Sequence, residues 1–238
     1  MSKQFLVIIA HLSYHVWEER ARGSVKMSDK SLDTGDGKLI EAVLSKDMKA
    51  LSDALSQEDV NGADVDGWTA LHIAAREGNA EAAQILLDQP SISVDAMNKW
   101  KSTPLMIAAG SGKLAIIDLL LRHPKTQIDL RAEYYGRTAL IEAAVKGHIS
   151  VVKALVSNGA NVNVTDKTGR NSALIEAIKN GHFNVATYLL RSGLVDFSDR
   201  DLRLQALIWC GTRGGDVFRS ELDTAIKRFF EQNHKAAS

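Results

Sequence analysis

The sequence predicts an all-α fold, an α-solenoid of about six stacked helix-pair units with short β-hairpin fingers and a capping unit at each end. Three observations predict it. A seven-residue phrase returns every 33 to 35 residues: Thr69-Ala70-Leu71-His72-Ile73-Ala74-Ala75, then Thr103 to Ala109, then Thr138 to Ala144, more loosely Ser172 to Ile178, and in worn form Gln205 to Gly211. Each phrase is followed by glycine, at Gly78, Gly112, Gly147, Gly181 and Gly214. After each of the first four comes a leucine-rich segment: Ile85-Leu86-Leu87, Leu119-Leu120-Leu121, Val152 with Leu155-Val156, and Tyr188-Leu189-Leu190. A fixed period of this length marks units that shelter one another's apolar faces in a row, and such a row is a surface for binding another macromolecule.

The elements follow in order. Residues 1–36 read as a leader. Its apolar run Phe5 to Ala10 ends at His11 without a small-residue cleavage pattern, so a signal peptide is disfavoured. Residues 23–37 are polar and glycine-containing, as a linker is, and a translation start at Met27 is the alternative reading. The repeat domain is expected over 37–233, in units of about 37–63, 64–97, 98–131, 132–165, 166–198 and 199–233, with 234–238 as a tail. The first unit has apolar faces at Leu39, Ile40 and Val43 and at Met48, Leu51 and Leu55 but lacks the phrase, as a terminal cap does.

In later units a polar turn precedes Thr or Ser, whose hydroxyl can cap a helix N-terminus. Pro104 suits a first helical turn, where its missing N–H has no partner to lose. The alanine pairs let neighbouring helices approach closely. A β-like finger follows the second helix, as at Val162-Asn163-Val164. Residues 216–233 form an amphipathic helix with Leu222, Ile226, Phe229 and Phe230 on one side, expected to bury both phenylalanines and close the stack.

Composition narrows the function. Twenty-nine basic residues balance twenty-nine acidic ones, which argues against bulk capture of nucleic acid. No stretch approaches the roughly 18 to 20 apolar residues that span a bilayer. The single cysteine, Cys210, excludes an intrachain disulfide framework, fits a reducing compartment and reads as a small buried filler. His11 and His15 stand at i, i+4 spacing without the rest of a metal motif. Glu142 and Glu176 hold equivalent positions one repeat apart, and a structural role is preferred to a catalytic carboxylate pair. Phosphate loops, dinucleotide fingerprints and serine elbows are absent from the sequence, so no cofactor or metal is expected.

The grammar resembles the ankyrin repeat. The match lies in Gly67-x-Thr69-Ala70-Leu71-His72-x-Ala74-Ala75-x-x-Gly78, in Gly136-x-Thr138-Ala139-Leu140 with Ala143-Ala144-x-x-Gly147-His148, and in Leu155 through Asn158-Gly159-Ala160-Asn161-Val162-Asn163. It covers about residues 37–233. The resemblance implies antiparallel helix pairs, projecting hairpins, and protein recognition through hairpin tips and the concave face of the first helices. It also implies that His72, His148 and His182 hydrogen-bond the turns, and Asn163 resembles a hydroxylation position of some ankyrin proteins. Lys101 stands where a turn glycine is usual, so the geometry of the finger 98–102 does not carry over.

Carried over by residue, the candidate protein-binding positions are Trp68, Lys99, Trp100, Tyr134, Tyr135, Arg137 and Arg170 at the fingers, and Arg76, Lys146 and Lys179 on the first helices. Trp and Tyr at neighbouring fingertips are the residue types that dominate interface hot spots. The surrounding charge leans positive and suits an acidic protein partner. The expected function is a non-catalytic protein–protein interaction module, an adaptor or regulator, monomeric and cytoplasmic, or nuclear in a eukaryote. The alternatives are an inhibitory or assembly-chaperone-like subunit, or a bacterial effector acting on host proteins. An enzyme is disfavoured.

Overall fold

The computed structural model describes residues 37–132, 135–211 and 215–236, the last of these with side chains over 218–233. The readings made for the leader, for Tyr134 and for Gly214 lie outside the described residues. Twelve helices are described: α1 Gly37–Ser45, α2 Met48–Leu55, α3 Ala70–Glu77, α4 Ala80–Leu87, α5 Pro104–Gly110, α6 Leu114–Arg122, α7 Ala139–Lys146, α8 Ile149–Ser157, α9 Ala173–Lys179, α10 Phe183–Arg191, α11 Arg200–Trp209 and α12 Gly215–Ala236. They pack as six consecutive pairs. Each first helix lies on the first helix of the next unit and each second helix on the next second helix, giving two layers of a solenoid.

The local causes are those of the repeated phrase. Thr69, Thr103, Thr138 and Ser172 are extended N-cap residues whose hydroxyls accept a backbone N–H from three residues on. Pro104 occupies the first turn of α5. The alanine pairs of α3, α5 and α7 are fully buried, as close packing of first helix on first helix requires. Leu71, Leu105, Leu140 and Leu174 are buried too, so trimming any of them to alanine costs about 2–5 kcal/mol. Their counterpart Leu207, in the worn copy, is only partly buried.

The histidines tie units together. His72 caps its own helix, its Nδ1 accepting the Thr69 N–H at 3.2 Å, while Nε2 lies 3.0 Å from the Ser102 carbonyl of the next finger. Nε2 of His148 lies 3.1 Å from the Gly110 carbonyl and Nε2 of His182 3.0 Å from the Val145 carbonyl, each one unit back. On the loops after the second helices runs a ladder of short polar side chains. Asn61, Asp95, Asp129 and Asn163 each accept a backbone N–H from the next unit, at Ser93, Gln127, Asn161 and Asp196. Among the described residues the expected β-hairpins are reduced to isolated antiparallel bridges, Ala63–Thr69 in the first finger and Thr165–Ser172 in the fourth.

The C-terminal end departs from expectation. α12 buries Leu222 and Phe218, and Phe229 meets Phe197 edge-on with ring centres 6.0 Å apart. Phe230, expected in the core, is exposed instead, with the Arg203 guanidinium 5.3 Å above its ring. Ile208 is exposed as well, although its equivalents His72, Met106, Ile141 and Ile175 are all buried. Each of those four is followed by a further phrase-bearing or capping helix of the stack, whereas no described first helix follows α11.

Candidate partner-binding face

Two fingers share one design. Asp64 Oδ1 accepts the N–H groups of Asp66 and Trp68, both at 2.9 Å, and Asn98 Oδ1 accepts those of Trp100 and Ser102, both at 3.0 Å. The fourth residue of each turn is left-handed: Gly67 at φ 77° and Lys101 at φ 58°. The finger 98–102, which resemblance left undetermined, therefore has the same turn with lysine in the glycine position. Its N–H donates to the Asn98 carbonyl at 2.8 Å, as that of Gly67 does to Asp64. The two fingers are joined by the Lys99 N–H donating to the Asp66 carbonyl at 2.8 Å.

The aromatic residues are not one open row. Trp68 is 4% exposed, wedged among Trp100, His72 and the Arg76 guanidinium, which lies 5.2 Å from its ring centre. It offers a partner almost no surface. Arg76 is largely covered and pairs with Glu77 at 2.8 Å. Trp100 is half-buried with Trp68 beneath it, and Lys99 beside it is well exposed. Apolar area held rigid next to a positive charge is what an interface anchor needs.

The third finger is one residue longer. Ala132 takes the place of the Asx residue, and the Arg131 guanidinium bonds the Gly136 carbonyl at 3.2 Å and also reaches Thr165. Tyr135 is half-buried, with the Arg137 guanidinium 5.7 Å from its ring centre. In the fourth finger burial pushes the Asp166 carboxyl up, but hydrogen bonds from Thr168 and Asn171 outweigh it and hold it below the usual carboxylate range. That network leaves Lys167 and Arg170 exposed at the tip.

On the first helices the structure assembles a charged cluster. Arg137 lies between two carboxylates, 3.7 Å from Glu142 and 3.9 Å from Glu176. Lys179 bonds Glu176 at 3.0 Å and Asn171 at 3.0 Å, and its ammonium lies 5.9 Å from the Trp209 ring centre. Both glutamates are buried. Burial pushes the Glu142 carboxyl above the usual range; the charges of Arg137 and Lys146 oppose this and that of Glu176 adds to it. Glu142 Oε2 is buried without a hydrogen-bond partner.

Sequence reasoning reaches the basic half of this cluster and misses its acidic half. It treats Glu142 and Glu176 as separate structural carboxylates, and the face as more positive than it is. One signal is present: Glu176 and Lys179 stand at i, i+3, a spacing that brings side groups together on a helix. Cys210 is buried as expected, and burial pushes its thiol up to about 11, far from a reactive thiolate.

The family model described as Ankyrin repeats (3 copies) matches residues 24–98, 91–166 and 129–201, which together span most of the 238 residues.

Proposed function

We propose a function from one premise: the protein belongs to the ankyrin repeat family, whose repeats are generally protein–protein interaction modules and typically non-catalytic. It is an adaptor or regulator that captures a protein partner along its second to fourth fingers and the adjoining ends of its first helices. The observation that carries this reading is Trp100 standing half-exposed on buried Trp68, with the ammonium of Lys99 beside it. Such a ring loses little freedom on binding because its footing already holds it.

The charge at the tips supports an acidic partner surface. Lys99, Lys101, Lys167 and Arg170 are exposed there. Of the acids of the same fingers, Asp66 pairs with Lys99 itself at 3.5 Å and Asp166 is held in its own turn. Positive tips facing an acidic patch steer encounter and set register more than they add affinity. The array 37–233 acts as one unit and as a monomer in this reading. A buried free thiol suits a reducing compartment such as the cytoplasm.

The test is quantitative affinity capture from the source cell, wild type against Trp100→Ala/Tyr135→Ala. The wild type should retain a partner at fixed stoichiometry, and the double variant should lose it while keeping its far-UV spectrum. Equal retention by both proteins would refute the fingertip reading.

A further inference from the structure

The fingers are joined in series, and the series stops one joint early. In the two joints that the described residues complete, the residue before the left-handed turn glycine accepts a main-chain N–H from the next finger: Asp66 from Lys99 at 2.8 Å and Tyr135 from Lys167 at 2.9 Å. The incoming backbone lies against that glycine. A Cβ on Gly67 would meet Asn98 Cα and the Lys99 nitrogen at 3.1 Å, and one on Gly136 would meet the Lys167 nitrogen at 2.7 Å. In the fourth finger the same places are Thr168 and Gly169, the latter at φ 72°. Among the described residues no donor reaches the Thr168 carbonyl, and a Cβ on Gly169 would meet nothing within 4 Å. The cause lies in the sixth unit. Three residues lead from Asp196, the last N–H donor of the polar ladder, to the N-cap Asp199. Ten or eleven lead from Ser93, Gln127 and Asn161 to Thr103, Thr138 and Ser172. The sixth unit keeps its helices and lacks a finger.

An open main-chain edge is a template for another chain. We propose that the outer side of the fourth finger seats a turn of the protein partner, which supplies the missing finger: its main-chain N–H donates to the Thr168 carbonyl, its backbone lies against Gly169, and an Asp or Glu that follows the donor residue meets the Arg170 guanidinium. The register comes from the first joint. There Trp68, the residue after Gly67, packs edge-on against Trp100, the residue after the donor Lys99, with ring centres 6.4 Å apart. Arg170 follows Gly169 as Trp68 follows Gly67. It is exposed and, among the described residues, pairs with no carboxylate. The neighbouring Asp166 spends its carboxylate on Thr168 and Asn171. At the start of α11, where a fifth finger would end, Arg200 stands between Asp199 and Asp201, so that end is balanced and Arg170 sets the sign of the guest. This rests on the protein-binding reading above and deepens it, naming the side of one finger and the chemistry of what binds there.

The probe is a head-to-tail cyclised octapeptide, Ser-Asn-Ala-Asp-Gly-Ser-Thr-Pro, which copies the spacing of residues 97–104 with alanine as the donor and aspartate after it. It is titrated into the full-length protein up to about 10 mM, because one hydrogen bond and one ion pair support only millimolar binding. The Thr168 carbonyl carbon is followed by NMR through the Gly169 amide. The expected result is a saturable shift of that carbon. Methylating the alanine nitrogen should weaken binding about fivefold, the worth of one hydrogen bond. Replacing the aspartate by asparagine should weaken it too, and Arg170→Gln should bind both peptides equally. Gly169→Asn keeps a residue that tolerates the left-handed turn but fills the seat, and should not bind. Gly159→Asn, also at positive φ and outside the fingers, should bind as the wild type does. The inference is overturned by an unmoved Thr168 carbon, by equal binding of the N-methylated peptide, by Gly169→Asn binding as the wild type does, or by Arg170→Gln keeping the preference for aspartate. None of those outcomes touches the fingertip reading, which stands or falls on the capture experiment with Trp100→Ala/Tyr135→Ala.

Discussion

The ring of Trp100 stands edge-on to the ring of Trp68, their centres 6.4 Å apart and their planes at 68°. One tryptophan is foundation and the other is surface. Trp68→Ala should therefore cost about 3–5 kcal/mol, the usual range for emptying a buried aromatic site. Trp100→Ala should cost only about 1 kcal/mol, close to the value of the aromatic pair beyond its area. Urea unfolding of the two variants measures the difference, and the reverse order would make Trp100 the packing residue.

Burial lowers the His72 imidazole to about 4, against an ordinary 6.5, with the Ser102 and Ala96 carbonyls opposing the shift. The folded state holds the ring neutral while the unfolded state protonates it. Stability from this residue is thus complete above pH 6.5 and is lost as pH falls toward 4, by about 3 kcal/mol in all. His72→Met, which copies the residue at the equivalent Met106, should lack this slope in a series of denaturant midpoints from pH 7.5 to 4.

Glu142 works in the opposite direction. Its folded carboxyl is raised by burial, so the folded state binds a proton more tightly than the unfolded state does. Its contribution is most favourable below the ordinary glutamate range and declines as pH rises through the raised value. Glu142→Gln should stabilise the protein near neutral pH and flatten that part of the profile. Arg137→Met, by leaving both buried carboxylates without their shared cation, should destabilise by about 3–5 kcal/mol. A neutral effect from Arg137→Met would show the cluster to be energetically idle.

Lys101 adopts φ 58°, a left-handed conformation that costs a residue with a Cβ roughly 1–2 kcal/mol. Lys101→Gly should raise the unfolding free energy by about 1 kcal/mol. The opposite experiment compares Gly147→Ala with Gly159→Ala. Both sites have positive φ, but a Cβ at 147 would fall within 3 Å of the His182 ring, whereas one at 159 meets nothing within 4 Å. Gly147→Ala should be the worse by about 1 kcal/mol, the value of the His182 to Val145 hydrogen bond it displaces. Equal costs would mean the ring yields freely.

Much of the fold was legible because each unit repeats its own local rules. Thr138 caps α7 through contacts three residues away, and Gly147 ends that helix by its own backbone angle. These causes act within a few residues, so spacing alone exposes them. The candidate site was legible only where it followed the same register. Lys99, Arg170 and Lys179 are identifiable because the repeat register places each one, the first two in the turn of a finger and the third at the end of a first helix. Phe230 was misplaced because an amphipathic stripe does not say how far the helix beneath it extends.

Residue spacing alone determined the array: six helix pairs, their caps and the order in which they stack. Tertiary structure decided which charges and rings remain for a partner. Trp68 and Trp100 are one residue type on neighbouring fingers, after the left-handed turn residue in one and before it in the other, and the first is sealed beneath the second. Glu142 and Glu176, 34 residues apart in sequence, converge on Arg137 because stacking sets one unit's finger against the helices of its own unit and the next. Burial, and the pairing that burial demands, depends on what the neighbouring unit presents, and no single repeat carries that information.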